Sequence, residues 1–402
     1  MKYFDLDTSL FDITERYPQT LNVFVAHGFG QLAEESKRQT FGKMLQLGIA
    51  LSMRQIDAVS FVELLENTIE GSGVSGINGN ESVETLKIKG LLPCPVRIPL
   101  QEGLDAFLDE LRSEGAHIET ALKSASMGLE WIKNEVKEAQ NAVDLDDLYI
   151  SAGFDMFFED AYFGRFIKDL KFSNPLKWKN INDSFDQSLQ LSDDQNRYGI
   201  IAVVPAVFLV NTAILGDRPV PMSWKQLLDP LYEKSISLPV SDFDLFNAIL
   251  LTIQKHYGMD AVAALGRNML QSMHPAQMVK SESKKENRPA VTIMPNFFTK
   301  MVKEGSAMKA VWPSDGAIIS PIFMIGKTDE KANLNAVADF LGGKTVAEIL
   351  SHQGLFPSLN PEVDNRLSAN TKFMWLGWDT INKGNLNQAF DACQAVFNAN
   401  QL

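Results

Sequence analysis

Cys94 and Arg97 stand three residues apart in the turn Pro93-Cys94-Pro95-Val96-Arg97-Ile98-Pro99. Where a strand ends and a helix begins, a guanidinium near a thiol lowers its pKa and favours an anion. The competing reading packs Cys94 as a small hydrophobe and leaves Arg97 solvated. Ser151-Ala152-Gly153 offers a hydroxyl and a free amide at a second strand end, followed by Phe157, Phe158, Tyr162 and Phe163 as core or cleft wall. At a third, Ser241 or Asp242 is a natural N-cap for the helical run after it. The carboxylates of Asp242 and Asp244 together suit a cation or a hydroxyl-rich ligand. A fourth, Trp312-Pro313-Ser314-Asp315-Gly316, pairs an indole that can stack on a ligand with Asp315; a structural turn explains it equally well. Met294-Pro295-Asn296-Phe297-Phe298 adds Asn296 and an aromatic wall. All ten (Cys94, Arg97, Ser151, Gly153, Ser241, Asp242, Asp244, Asn296, Trp312 and Asp315) are candidate ligand contacts. Cys94 is also the alternative nucleophile, but a nucleophile needs a positioned base, and spacing assigns none.

Other patterns fail on context. Gly71-Ser72-Gly73-Val74-Ser75-Gly76 spells the dinucleotide fingerprint, yet it follows a helical stretch where that motif needs a strand before it and a helix after. Ala338 to Thr345 resembles a relaxed phosphate loop, but it begins inside a predicted helix that Gly342-Gly343 ends. The run Lys280 to Arg288 reads as a solvated surface loop. Two cysteines, Cys94 and Cys393, cannot make a disulfide framework or an iron–sulfur set, and Cys393 reads as helix packing. His27, His117, His256, His274 and His352 are scattered, so no metal site and no cofactor are expected. With 37 Lys+Arg against 50 Asp+Glu, the net charge of −13 argues against nucleic acid. Acids at Asp5, Asp7, Asp12 and Glu15 spoil a secretory signal. The longest apolar run, Ile200 to Val210, contains Pro205 and falls short of the ~20 residues of a membrane span. A soluble, cytoplasmic protein is expected.

These residues must be positioned by two kinds of structure. Residues 1–70 are predicted to form a small helical domain. Asp12 and Thr20 are candidate caps, His27-Gly28-Phe29-Gly30 a stop, a third stretch covers Glu34 to Leu45, and a fourth follows Asp57. Residues 71–84, rich in Gly, Ser and Asn, read as a flexible linker. From 85 to 402 strands and helices alternate, the α/β signature. Strands are predicted at Leu86–Leu92, Leu148–Ile150, Ile200–Val210, Ile236–Leu238, Val291–Met294, Ala310–Trp312 and Ala317–Ile325.

In that order, five segments carry a likeness: Val203-Val204-Pro205 through Asn211-Thr212; Pro221-Met222-Ser223-Trp224 through Asp229-Pro230; Ile236-Ser237-Leu238-Pro239; Trp312 to Ala317; and Ala336–Leu341 with Ile349-Leu350 and Gly354-Leu355-Phe356-Pro357. From about residue 85 onward the chain resembles the type II periplasmic solute-binding fold, in the iron-complex and small-anion branch of ABC-transporter binding proteins. The resemblance implies a two-lobed α/β fold, lobe 1 from about 85–203 and 315–402 and lobe 2 from about 204–314. It further implies non-catalytic capture of a small molecule or ion complex between the lobes, for transport or sensing. Ferric-binding relatives use adjacent tyrosines, and this chain, with seven Tyr, has no such pair. Thiaminase-like relatives use a cleft cysteine, which would make Cys94 a transferase or hydrolase nucleophile. Residues 1–70 resemble a small helical domain of unknown function, through Asp12-Ile13-Thr14-Glu15-Arg16-Tyr17-Pro18 and His27 to Gly30. Members often carry cysteines after the Gly-Phe turn; Gln31 to Glu35 stand there instead, and a partner-binding or dimerising module is expected.

Overall fold

The computed structural model describes residues 3–18, 20–26, 29–53, 58, 61–62, 65–66, 69, 84–152, 155–240, 243–273, 288–329, 331–384 and 386–401. The dinucleotide-like motif, residues 71–83 of the linker and residues 280–287 lie outside them. The chain divides into two compact units, Met1–Ser82 and Val83–Leu402.

The first unit is built from short helices, among them Leu10–Arg16, Thr20–Ala26 and Leu47–Met53. Leu10, Ile13, Phe24, Leu32, Leu47, Leu51, Phe61 and Leu65 close its core. Ser9, rather than Asp12, caps Leu10–Arg16, because its extended backbone lets the hydroxyl accept the Asp12 N–H at 3.0 Å. Thr20 is the first residue of its helix, and its hydroxyl donates to Tyr17 O instead of capping. The expected stretch at Glu34 to Leu45 is broken into short turns, and the helix Leu47–Met53 was not foreseen.

In the second unit the strands are β1 (Thr85–Leu92), β2 (His117–Ser124), β3 (Leu148–Ala152), β4 (Phe172–Ser173), β5 (Gly199–Asn211), β6 (Ile236–Leu238), β7 (Met269–Ser272), β8 (Val291–Pro295), β9 (Met308–Val311), β10 (Ala317–Lys327) and β11 (Phe373–Met374). Among the described residues they form one mixed sheet ordered β2-β1-β3-β10-β5-β8-β6-β7, with β4 and β11 on β10 and β9 on β5. The long strands β5 and β10 are buried along nearly their whole length, as continuous apolar runs must be. By contrast β2 is a sheet edge with only Ile118 buried, so it carries no apolar alternation and sequence periodicity missed it. Gly90 lets β1 approach β3: a Cβ there would stand 2.0 Å from Ile150 O.

Only β5 and β10 run through the middle of this sheet. β3 stops at Ala152, opposite Ile322, and β8 stops at Pro295, opposite Ala206. The two central prolines sit in the gaps so left. Val203 turns its N–H toward Pro357 O, so Pro205, two residues on, faces the same side beyond the end of β8. Likewise Ala317 turns its N–H toward Lys372 O, so Pro321 faces the gap between β11 and β3. A residue without an N–H costs nothing at those two places. The result is a two-lobed architecture hinged on a pair of strands, with the carboxyl ends of β3 and β8 meeting across the crevice.

On the first half, the helices Arg97–Ser113 and Leu334–Leu341 cover β1 and β3 through Leu100, Leu104, Leu108, Val337 and Leu341. Gly342 and a new helix at Lys344 follow, so the phosphate-loop lookalike is helix and cap. On the second half, Phe243–Tyr257 and Met259–Asn268 pack with the C-terminal helix Leu386–Ala399. Cys393 is buried in that last helix, and burial pushes its thiol up to about 11.

Candidate functional site

A chamber of about 360 Å³ opens beside the hinge. Asn296 enters it from the turn that follows β8, and Trp312 from the turn between β9 and β10. Ser351, His352 and Leu355 come from the other half, with Pro357 and the loop carrying Asn365, Arg366, Leu367, Ser368 and Thr371. Several polar wall groups are held in place by hydrogen bonds. Trp312 Nε1 donates to Lys372 O at 2.8 Å, and its ring meets Phe373 edge-on. His352 Nε2 lies 2.8 Å from Asp364 O. Asn365 is locked by two bonds to the Ser358 backbone, its Oδ1 accepting the N–H at 2.8 Å and its Nδ2 donating to the carbonyl at 2.9 Å. Arg366 holds φ +54° while its N–H donates to the Asp364 carboxylate. No carboxylate is among the lining residues of the chamber, although the chain carries a charge of −13. Such a wall offers indole, imidazole, amide, hydroxyl and guanidinium groups, suited to hydrogen bonding and stacking.

The structure brings together two of the residues singled out by sequence, Asn296 and Trp312, which leave β8 and β9 on the two edges of β5 in the second half. Cys94 is exposed at the end of β1, and the partner of its Sγ is Ser124 Oγ at 3.2 Å, a hydroxyl and not a general base. Arg97 opens the helix after it and bonds Gln101 Oε1 along that helix. Ser151 is buried, its hydroxyl donating to Ala152 O at 2.8 Å. Asp244 lies in the first turn of Phe243–Tyr257. Gly153, Ser241 and Asp242 lie outside the described residues. Asp315 accepts from Trp224 N, Lys225 N and the Tyr257 hydroxyl (2.7 Å), so its carboxylate caps the helix Trp224–Leu227. It borders a second cavity, of about 480 Å³, with His256, Tyr257, Trp375 and Trp378. Burial and the Asp315 charge push the Tyr257 hydroxyl well up, which keeps it a neutral donor.

Ser351, His352, Asn365 and Arg366 carried no sequence signal: they sit on a helix end and an irregular loop whose places depend on the chain returning to the hinge. Among the described residues, no group of three or more His, Cys, Asp or Glu is placed to hold a metal ion, and no helix is long and apolar enough to cross a membrane.

Hinge, crevice and chamber define a two-lobed solute-binding protein. Residues 144–384, more than half of the chain, match the family described as bacterial extracellular solute-binding protein, and the chain belongs to that family. Residues 4–62 match a domain of unknown function (DUF1858). Among solved structures, the chain is similar to the apo ferric ion-binding protein A of Pasteurella haemolytica, at 14% identity and a TM-score of 0.55 over 78% of this chain and 98% of that one. It is also similar to a Bordetella ferric binding protein (13%, TM-score 0.53, 78% and 100%). A third similar structure is the substrate binding protein of an ABC transporter from Agrobacterium tumefaciens (12%, TM-score 0.54, 78% and 96%). At these identities the likeness is one of fold. No curated protein matches the sequence.

Proposed function

We propose that residues 85–402 capture a small solute between the two halves of the sheet and release it by hinge opening, serving an ABC-type transporter or a ligand sensor. The observation that carries this reading is the gap at Ala152 and Pro295, spanned within the described sheet by β5 and β10, with the chamber of Asn296 and Trp312 beside it. Binding to the native state alone raises the melting temperature by linkage. We expect a thermal-shift screen of ferric citrate, inorganic phosphate, putrescine and a small-molecule cell extract to contain at least one stabiliser. We expect Cys94→Ala to keep that shift, because Cys94 is bonded to Ser124 and lies outside the chamber wall. A shift lost in Cys94→Ala would favour Cys94 chemistry instead; an extract that stabilises nothing would remove the solute-binding reading.

For residues 1–70 we propose a protein-contact role, supported by the exposure of Phe41, Met44 and Ile49 on that small unit. Native mass spectrometry of the full chain and of a version lacking 1–70 tests it: an identical set of masses and partners would count against it.

A further inference from the structure

The turn Asn296–Met301 leaves the carboxyl end of β8 in the second half of the sheet, and Ile349–Gln353 is a π-helical turn in the first. That turn extends the helix Lys344–Glu348 and packs against the Cys94–Val96 turn at the end of β1. A helix end leaves its last carbonyls unpaired, and here the chain itself satisfies only the earlier ones: Gly354 N donates to Ile349 O, and Phe356 N to Leu350 O. The carbonyls of His352 and Gln353 are instead taken by Lys300 Nζ, at 3.0 and 2.9 Å. The ammonium reaches them from the other side of the crevice. Among the described residues no carboxylate pairs with Lys300, so its charge is directed at the negative end of that helix. Beside it, Phe297 packs against the first-half cluster that contains Val96, Leu350 and Phe356, and Lys300 Nζ lies 5.9 Å from the Phe297 ring centroid.

We infer that Lys300 is an inter-lobe latch: a helix C-cap supplied across the crevice, which sets how much of the protein is closed over the chamber. This rests on the hinge closure of the proposed function but not on any particular solute. Bonds from a charged donor to carbonyls are the stronger kind. They are made only when the halves meet, so their loss acts on closure rather than on folding.

The test is double electron–electron resonance on the full chain in a Cys94→Ala background, with spin labels at Glu114→Cys and Lys309→Cys. Both positions are exposed, one on each half. Without any added solute, Lys300→Met is expected to raise the open-to-closed ratio about tenfold, and Lys300→Arg to restore the short distance. Circular dichroism melts of the unliganded variants should coincide with wild type. Identical distance distributions in wild type and Lys300→Met, whether both short or both long, overturn the latch. So does a lowered melt in Lys300→Met with unchanged distances, which would make the contact ordinary packing. Neither result bears on whether a solute binds, which the thermal-shift screen decides separately.

Discussion

Replacing Asp147 by asparagine is expected to destabilise the 83–402 unit by about 3–5 kcal/mol, the usual cost of leaving a buried charge uncompensated. Asp147 is fully buried just before β3, where three strands converge. Its backbone N–H donates to Lys87 O of β1, and its carbonyl accepts the Lys327 N–H of β10. The carboxylate accepts the Lys87 N–H at 2.8 Å and pairs with Lys327 Nζ and Lys331 Nζ, each at 2.9 Å. Lys327 is itself buried, and its remaining bond is to Leu145 O at 2.6 Å. Asparagine keeps the shape and an acceptor for Lys87 N–H, but leaves the Lys327 ammonium without its counter-charge. Urea titration of wild type and Asp147→Asn measures the loss directly. Because the cluster is buried, the loss should persist at high salt, unlike that of a surface pair. A difference below about 1 kcal/mol would show that the pair contributes no more than an exposed one.

The second large effect is on binding. Trp312→Ala is expected to weaken the solute found by thermal shift by about 30-fold or more, the range for truncating a large aromatic anchor at about 2 kcal/mol or above. Trp312 is half-buried, braced by Lys372 O and by Phe373, and presents its ring to the chamber. Bracing of this kind means little rotamer freedom remains to be lost on binding. Trp312→Phe keeps an aromatic face without the Nε1 donor and should recover part of the affinity. Isothermal titration with the stabilising compound separates the cases. Unchanged affinity in Trp312→Ala, with the fold intact by circular dichroism, would move the binding site away from this chamber.

Much of the fold was legible because the physics is local. The long apolar run within Gly199–Asn211 reads as a buried strand, and it is buried along nearly its whole length. The edge strand β2 and the two-residue strands β4 and β11 were not legible, since nothing in their side chains distinguishes them from loops. Asn296 and Trp312, singled out because each stands at the end of a recognisable strand, both line the chamber. Asp315, flagged by the same logic, turned out to hold Trp224, Lys225 and Tyr257 in place. Sequence proximity to a strand end locates a residue near the crevice; it does not say whether its hydrogen bonds are already taken.

Cys94 and Arg97 make the same point. Their spacing is a true local fact, but spacing does not aim side chains, and in the fold one meets Ser124 while the other turns along its own helix to Gln101. By itself, then, the amino-acid order determined an α/β unit with two long central strands, a helical unit before it, and the strand ends from which a binding site could be built. These follow from runs of apolar residues and turn chemistry within a dozen positions. Only the tertiary structure decided that Ser351, His352 and Arg366 would join Asn296 and Trp312, and that Lys300 would cap a helix some fifty residues further on. Those meetings depend on strand register and on the path of the returning chain, and neither leaves a periodic trace in the residues that meet.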